Sequence, residues 1–419
     1  MKNTLALSVF VLIASVSSIF SQSNSEEPVP SRPIVVVTNS VPPAQTVKQP
    51  ATPLPTPVPA QKLPVTSSNA SESQASDLNY KGLSFSEIKG KIAEAKRQMA
   101  MRPLTIASVE PISLVTIIRV AFYDTNEHKI DSFVLTKDQF LSPGAGTMLM
   151  SEGGKQIITR TIRGNGVNTP VVVTDANGKP HLPLIVQYPR ETRGVFTEMA
   201  YYVSTHPGIV TPEVVNAGRF YVSNTIDVAR EQLKRKGYAI QPKVADIAEV
   251  LATLEHVDHL RFRTEYHPNI YNDIFTLYAL NEGQTYRYSV SSAGAGGMVQ
   301  MIPSTYRMVR SRFPNAALMP DFVEGMRNHV NASQAMLLYM QMTWNDLSAS
   351  ATVREAMATG IATQEQLMAA GYNSNPAKLA RYISRGGENW TDLIPRETKI
   401  YLQIWDSLER HVTIKPRKQ

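Results

Sequence analysis

Cysteine is absent from all 419 residues, which excludes a disulfide framework and a lipid-modified cysteine. A chain without either must hold itself together by core packing, and 42% apolar composition over this length is enough for a sizeable core. Long apolar runs are missing too: the stretch from Leu5 to Ala14 falls well short of the ~20 residues that a membrane-crossing helix needs. The 42 Lys and Arg outnumber the 35 Asp and Glu, for a net charge of +7, yet the basic residues are scattered. No basic stripe interleaved with aromatics is present, which argues against a nucleic-acid partner and leaves a screened attraction to anionic polymers. There is also no internal repeat at a solenoid period.

Read from its start, the sequence falls into compositionally distinct stretches. Lys2, the apolar run and the small residues from Ser15 to Ser21 have the pattern of a cleavable secretory signal over 1–21. Export implies a periplasmic or extracellular destination and no stable membrane span once the signal is removed. From 22 to 79, Pro, Ser, Thr, Val and Gln dominate without helical or strand period, the composition of a disordered tether. Over 80–102, Ile88, Ile92 and Ala95 fall on one face of an amphipathic helix.

The stretch 103–195 reads as β structure. Val115–Phe122, Ser132–Leu135, Gln156–Ile162, Pro170–Thr174 and Pro183–Tyr188 are rich in β-branched and aromatic residues. Turn signals at Ser142-Pro143-Gly144, Gly164-Asn165-Gly166 and Ala176-Asn177-Gly178 separate them. A small β-sandwich or barrel-like accessory domain is expected, leaving room for an envelope protein partner on it or on the tether. A helical connector follows over 196–239. From 240 to 412 the pattern is mainly helical: Pro242 opens a helix with Val244, Ile247, Val250, Leu251 and Leu254 on its apolar side. Further helices are expected at Pro303–Arg312, Met319–Leu347, Thr363–Ala370, Pro376–Ser384 and Arg396–His411, before a basic tail at 413–419. The fold class expected is α+β and multidomain.

Small residues from Ser291 to Gly297 run straight into Met298, Gln300, Pro303 and Thr305. Such a loop lets backbone approach a ligand closely, and its Ser/Gly segment is suited to opening a helix that presents Gln300 sideways. Two further blocks follow in order: Gly371, Tyr372, Asn373 and Pro376, and then Trp390 with Pro395, Glu397, Thr398 and Tyr401. Together these resemble the ordered motifs of the lysozyme-like lytic transglycosylases, enzymes that cleave peptidoglycan glycan strands. The sequence departs from the family pattern at Ser374 and Asn375, where Ala-Gly is usual. The resemblance implies a mainly α, lysozyme-like catalytic domain over 240–412 that needs no cofactor.

Cleaving a β-1,4 glycosidic bond requires a proton donor, and a carboxyl in apolar surroundings suits that task. The family is understood to use one Glu, with the substrate's own 6-hydroxyl in place of water, leaving a 1,6-anhydromuramoyl end. Glu255, ending the apolar helix from Pro242, resembles that residue, although His256 replaces the customary Ser and the spacing to Ser291 is longer than usual. Two β-like runs, Phe275–Leu280 and Thr285–Val290, suggest an inserted hairpin that accounts for the spacing. Glu265, beside Arg261 and Arg263, and Glu282, in a turn signal, are the alternatives. By resemblance, Tyr372 bonds the catalytic carboxyl, while Gln300, Asn373 and Ser291 contact the N-acetylated sugar.

Other residues near the motifs read as structural. Met298, Met301 and Tyr306 read as packing, Glu397 as fold-shaping, and Asn331 as a cap or buried bond. His256, Asp258 and His259 lack the spacing of a zinc-protease helix, so no metal is assigned. A hydrolytic muramidase and a non-catalytic peptidoglycan-binding scaffold remain as alternatives, separable by whether glycan is cleaved and whether water enters the product.

Overall fold

The computed structural model describes residues 83–102, 104, 114–144, 146–164, 169–192, 195–281 and 293–418. The signal-like segment, the Pro-rich stretch, Glu282, Thr285–Val290 and Ser291 lie outside the described residues. The fold is mixed α+β, a curled antiparallel sheet together with many helices. Among the described residues no helix is long and apolar enough to cross a membrane.

Helix α1, Phe85–Met101, starts at a reciprocal Ser84–Glu87 capping box and buries Ile88, Ile92, Ala95 and Met99, one stripe at helical spacing. The strands that follow are β1 (Ile117–Asp124), β2 (Lys129–Thr136), β3 (Thr147–Met150), β4 (Gln156–Thr161), β5 (Val171–Asp175), β6 (Pro180–Thr192) and β7 (Val195–Val203). A short helix α2, Lys137–Leu141, sits between β2 and β3. Of the expected sandwich or barrel-like fold, the strands form a single curled half-barrel sheet in the order β2-β1-β6-β5-β4-β3, with β7 also on β6. Its curl follows from the length of β6, which pairs β5 through Pro180 and His181, and β7 through its later residues, Ile185 to Thr192.

Alternation along β1 divides its side chains between two cores. Ile118, Val120 and Phe122 enter the sheet's own core with Phe133, Phe140, Ile157 and Tyr188, whereas Ala121 and Tyr123 join α1 and the helical core. Arg119 shares the α1-facing side and is buried. Its guanidinium donates to the Met99 and Arg102 carbonyls at the end of α1, both at 2.6 Å, and to Gln187 Oε1 at 2.8 Å. A cation at a helix C-terminus is favourably placed.

The helical part begins with α3, Pro212–Arg235, capped by Thr211, and α4, Pro242–Leu254, with Pro242 in the first turn. Then come α5 (His259–Thr264), α6 (His267–Leu280), α7 (Pro303–Arg312), α8 (Phe322–Arg327) and α9 (His329–Ala349). The last four are α10 (Ala351–Ala358), α11 (Gln364–Asn373), α12 (Leu379–Gly386) and α13 (Arg396–His411). Two expectations are corrected. Phe275–Leu280 is not a strand but the last part of α6, because Ile270, Tyr271, Ile274, Phe275 and Tyr278 recur at helical spacing and bury together. Gly218 of α3 permits this packing: a Cβ there would stand 1.9 Å from the Phe275 carbonyl oxygen. Met319–Leu347 is not one helix, because Asn328 leaves helical geometry and its side chain caps α9 by accepting from the Asn331 amide.

Candidate active site

Helix α4 is apolar on almost every side, with Val244, Ala245, Ile247, Ala248, Leu251, Ala252 and Leu254 buried, so it runs through the core and carries its last residues inward. Glu255 is its C-cap and is only 4% exposed. Burying a carboxyl is costly unless it is hydrogen-bonded, and Tyr401 of α13 donates its hydroxyl to Glu255 Oε1 at 2.7 Å. The next residue, His256, donates from Nε2 to the Met298 carbonyl at 2.9 Å, and burial pushes its pKa down to about 3, leaving a neutral imidazole. Tyr278 of α6 closes this corner, edge-on to His256 and donating to the Ala252 carbonyl at 2.7 Å.

The glycine-rich motif does not open a helix. Residues 293–302 form a tight loop pinned by a bridge between Gly296 and Met301, and α7 begins only at Pro303. The loop needs left-handed backbone at Gly294, Gly297 and Gln300, with φ of 74°, 72° and 44°. At Gly297 a Cβ would also stand 2.7 Å from the Met326 carbonyl oxygen, so this position requires glycine on two counts. Gln300 is 7% exposed and donates from Nε2 to the Gly297 carbonyl at 2.9 Å. A non-glycine residue held in left-handed geometry is strain that the surrounding structure must support. Met298, Met301 and Tyr306 are buried packing residues, as their types suggest.

Tyr372 and Asn373 end α11. Tyr372 donates its hydroxyl to the Val299 carbonyl at 2.6 Å, so it holds the glycine-rich loop. Asn373 Oδ1 accepts from Thr398 Oγ1 at 2.8 Å. Thr398 and Tyr401 lie three residues apart on one face of α13, so one helix face serves both Asn373 and Glu255. The structure thus brings the environments of Glu255, Gln300, Tyr372 and Asn373 together through the 293–302 loop and α13. Tyr401 is the site residue that sequence reasoning missed, although its i, i+3 relation to Thr398 was a usable signal. Asn331 makes buried bonds, donating to Tyr306 Oη at 2.8 Å and to the Gly325 carbonyl at 2.9 Å.

Glu265 is otherwise engaged. Both of its carboxylate oxygens accept from Arg261 Nε, at 3.0 and 2.9 Å, and Arg261 is shared with Asp273, which also binds Arg163 at 2.7 Å. Burial opposes the Arg261 charge, but Asp273 and Glu265 more than offset this and raise its pKa. Asp258 accepts from the Leu260 and Arg261 amides as the cap of α5, so it and His256 serve different partners. Among the described residues no group of three His, Cys, Asp or Glu is arranged to hold a metal ion.

No protein family, curated protein or solved structure matches this chain.

Proposed function

We propose that the chain is an exported peptidoglycan lytic transglycosylase, with a β-rich accessory part ahead of a lysozyme-like catalytic part. The observation that carries this reading is the Glu255 carboxyl, buried at the end of an apolar helix, accepting the Tyr401 hydroxyl at 2.7 Å beside the glycine-rich loop. A carboxyl in such a place is suited to general acid and base work.

In the reaction, Glu255 gives its proton to the glycosidic oxygen between N-acetylmuramic acid and N-acetylglucosamine, and the bond from that oxygen to the muramoyl C1 breaks. The substrate's acetamide oxygen stabilises the positive charge at C1. Glu255, now a carboxylate, takes the proton of the muramoyl 6-hydroxyl while that oxygen bonds to C1. The product is a 1,6-anhydromuramoyl end, no water is consumed, and Glu255 regains its starting proton. Tyr401 holds the carboxyl in one orientation through both steps, and Gln300 and Asn373 supply amide groups that suit sugar hydroxyls and acetamides.

Mass spectrometry of soluble products from isolated peptidoglycan tests the reading. Muropeptides lighter by one water than hydrolytic products are expected, and Glu255→Gln is expected to abolish them while wall binding persists. Hydrated reducing ends would make the protein a muramidase. Binding without any soluble product would leave a scaffold role.

A further inference from the structure

We propose that Arg417 is a positioning residue for Glu255, acting through α4 as a guanidinium clamp; this rests on the reading of Glu255 given above. Arg417 lies beyond α13, and its side chain is 7% exposed. Its Nε donates to Asp227 of α3 at 2.6 Å. Nη1 donates to Asp246 at 3.1 Å and Nη2 to Glu249 at 2.6 Å, both on α4. Nη2 also reaches the Ser223 carbonyl of α3 at 3.2 Å, and the Arg417 amide donates to Asp246 Oδ1 at 3.1 Å. One planar fork thus joins two helices through three carboxylates, a geometry that a lysine cannot reproduce.

The segment from α13 onward therefore grips α4 at two points. Tyr401 holds Glu255 at its end, and Arg417 holds Asp246 and Glu249, roughly 9–14 Å back along the axis at 1.5 Å per residue. An open cavity of about 710 Å³ lies beside the clamp along the first part of α4, lined by Pro242, Asp246, Ile247 and Val250, by Trp405 of α13, and by Arg417 itself. With that flank unfilled, the clamp sets where α4 lies against α3 and so where its last residue presents the carboxyl. Without Arg417, three carboxylates would face one another, with Glu249 largely out of water.

The test uses the full chain with three variants: Arg417→Gln, Arg417→Lys, and Arg417→Gln combined with Asp246→Asn and Glu249→Gln. Arg417→Gln is expected to lower kcat on peptidoglycan by about 10- to 100-fold, the scale of a small misplacement of a catalytic group, with KM little changed. Hydrogen exchange of the amides from 250 to 255 is expected to quicken in the same variant. Arg417→Lys keeps the charge and is expected to fold normally with an intermediate kcat. The triple variant removes the two unpaired charges on α4 and leaves only the more exposed Asp227, so thermal stability is expected to return while kcat stays low. Recovery of kcat together with stability would reduce Arg417 to charge neutralisation and overturn the proposal. Wild-type kcat in Arg417→Gln, or unchanged exchange at 250–255, would sink the clamp itself. A wild type without lytic activity would instead sink the reading of Glu255, which the exchange measurement does not depend on.

Discussion

Two buried carboxylates, one in the sheet and one among the helices, are held in opposite ways. Asp124, at the end of β1, is fully buried and satisfied close by: it accepts from the Asn126 and Glu127 amides of its own turn and pairs with Lys155. Burial works against its charge, but Lys155 and the turn amides more than offset this and hold its pKa below the ordinary carboxylate value. Asp175 does the same for the turn before β6, accepting from the Asn177 and Lys179 amides. Glu255 instead takes a phenol from a residue 146 positions away. A carboxylate that closes its own turn is committed to holding backbone. One reached across the fold by a tyrosine hydroxyl has its position specified by a distant helix, which suits a group that must give up and take back a proton.

The sharpest way to break this contrast is to neutralise each carboxylate in turn. Glu255→Gln is expected to lower lytic turnover by at least about 10³-fold, the scale of a lost general acid, with a melting temperature close to wild type. Equal activity in that variant would end the case for Glu255. Tyr401→Phe tests whether the distant hydroxyl matters to chemistry rather than to packing alone. It is expected to lower kcat by about tenfold and to cost roughly 1 kcal/mol of stability in denaturant titration, and a change in stability alone would make Tyr401 purely structural.

Two smaller effects sharpen the comparison from the folding side. Gly297→Ala forces a side chain into left-handed backbone against the Met326 carbonyl, and is expected to cost about 1–3 kcal/mol in chemical denaturation. Asp124→Asn is expected to cost a similar roughly 1–3 kcal/mol, yet leave kcat per folded molecule unchanged, and lowered turnover there would erase the distinction between the two carboxylates.

The last effect concerns pH. Burial pushes His256 down to about 3, and His206 to about 4, from an ordinary 6.5. Below that ordinary value the unfolded chain takes up protons that these residues refuse in the fold, so their contribution is complete above about pH 6.5 and is lost as pH falls toward the folded values. The unfolding free energy from urea titration is expected to fall between pH 7 and 5, by up to about 1.4 kcal/mol per pH unit for each such histidine. His256→Gln, whose amide can still reach the Met298 carbonyl, is expected to flatten that slope, and an unaltered slope would refute the assignment.

Local patterns were readable wherever the determining chemistry is local. The stripe of α1, the Pro242 and Pro303 helix starts and the limits of α13 all follow from apolar spacing and from proline in a first turn. Strand runs at β1, β2, β4, β5 and β6 were legible in β-branched composition. The short β3 was not, because thioether residues dilute that signal, and β7 overturns the helical connector expected from 196, although six of its nine residues are β-branched or aromatic. The end of α6 was misread because its aromatic and aliphatic residues suit either structure, and only close packing against Gly218 of α3 separates the two.

By itself, then, the sequence determined the helix starts, the apolar faces, the need for glycine in the 293–302 loop and the candidacy of Glu255, since each depends on residues within a turn or two of one another. Tertiary structure alone decided that the strands form one curled sheet, that Tyr401 donates to Glu255 while Tyr372 donates to the Val299 carbonyl, and that Arg417 bridges α3 and α4. Those outcomes depend on which elements meet in space, and hydrogen bonds between residues far apart in the chain leave no period for a sequence to display.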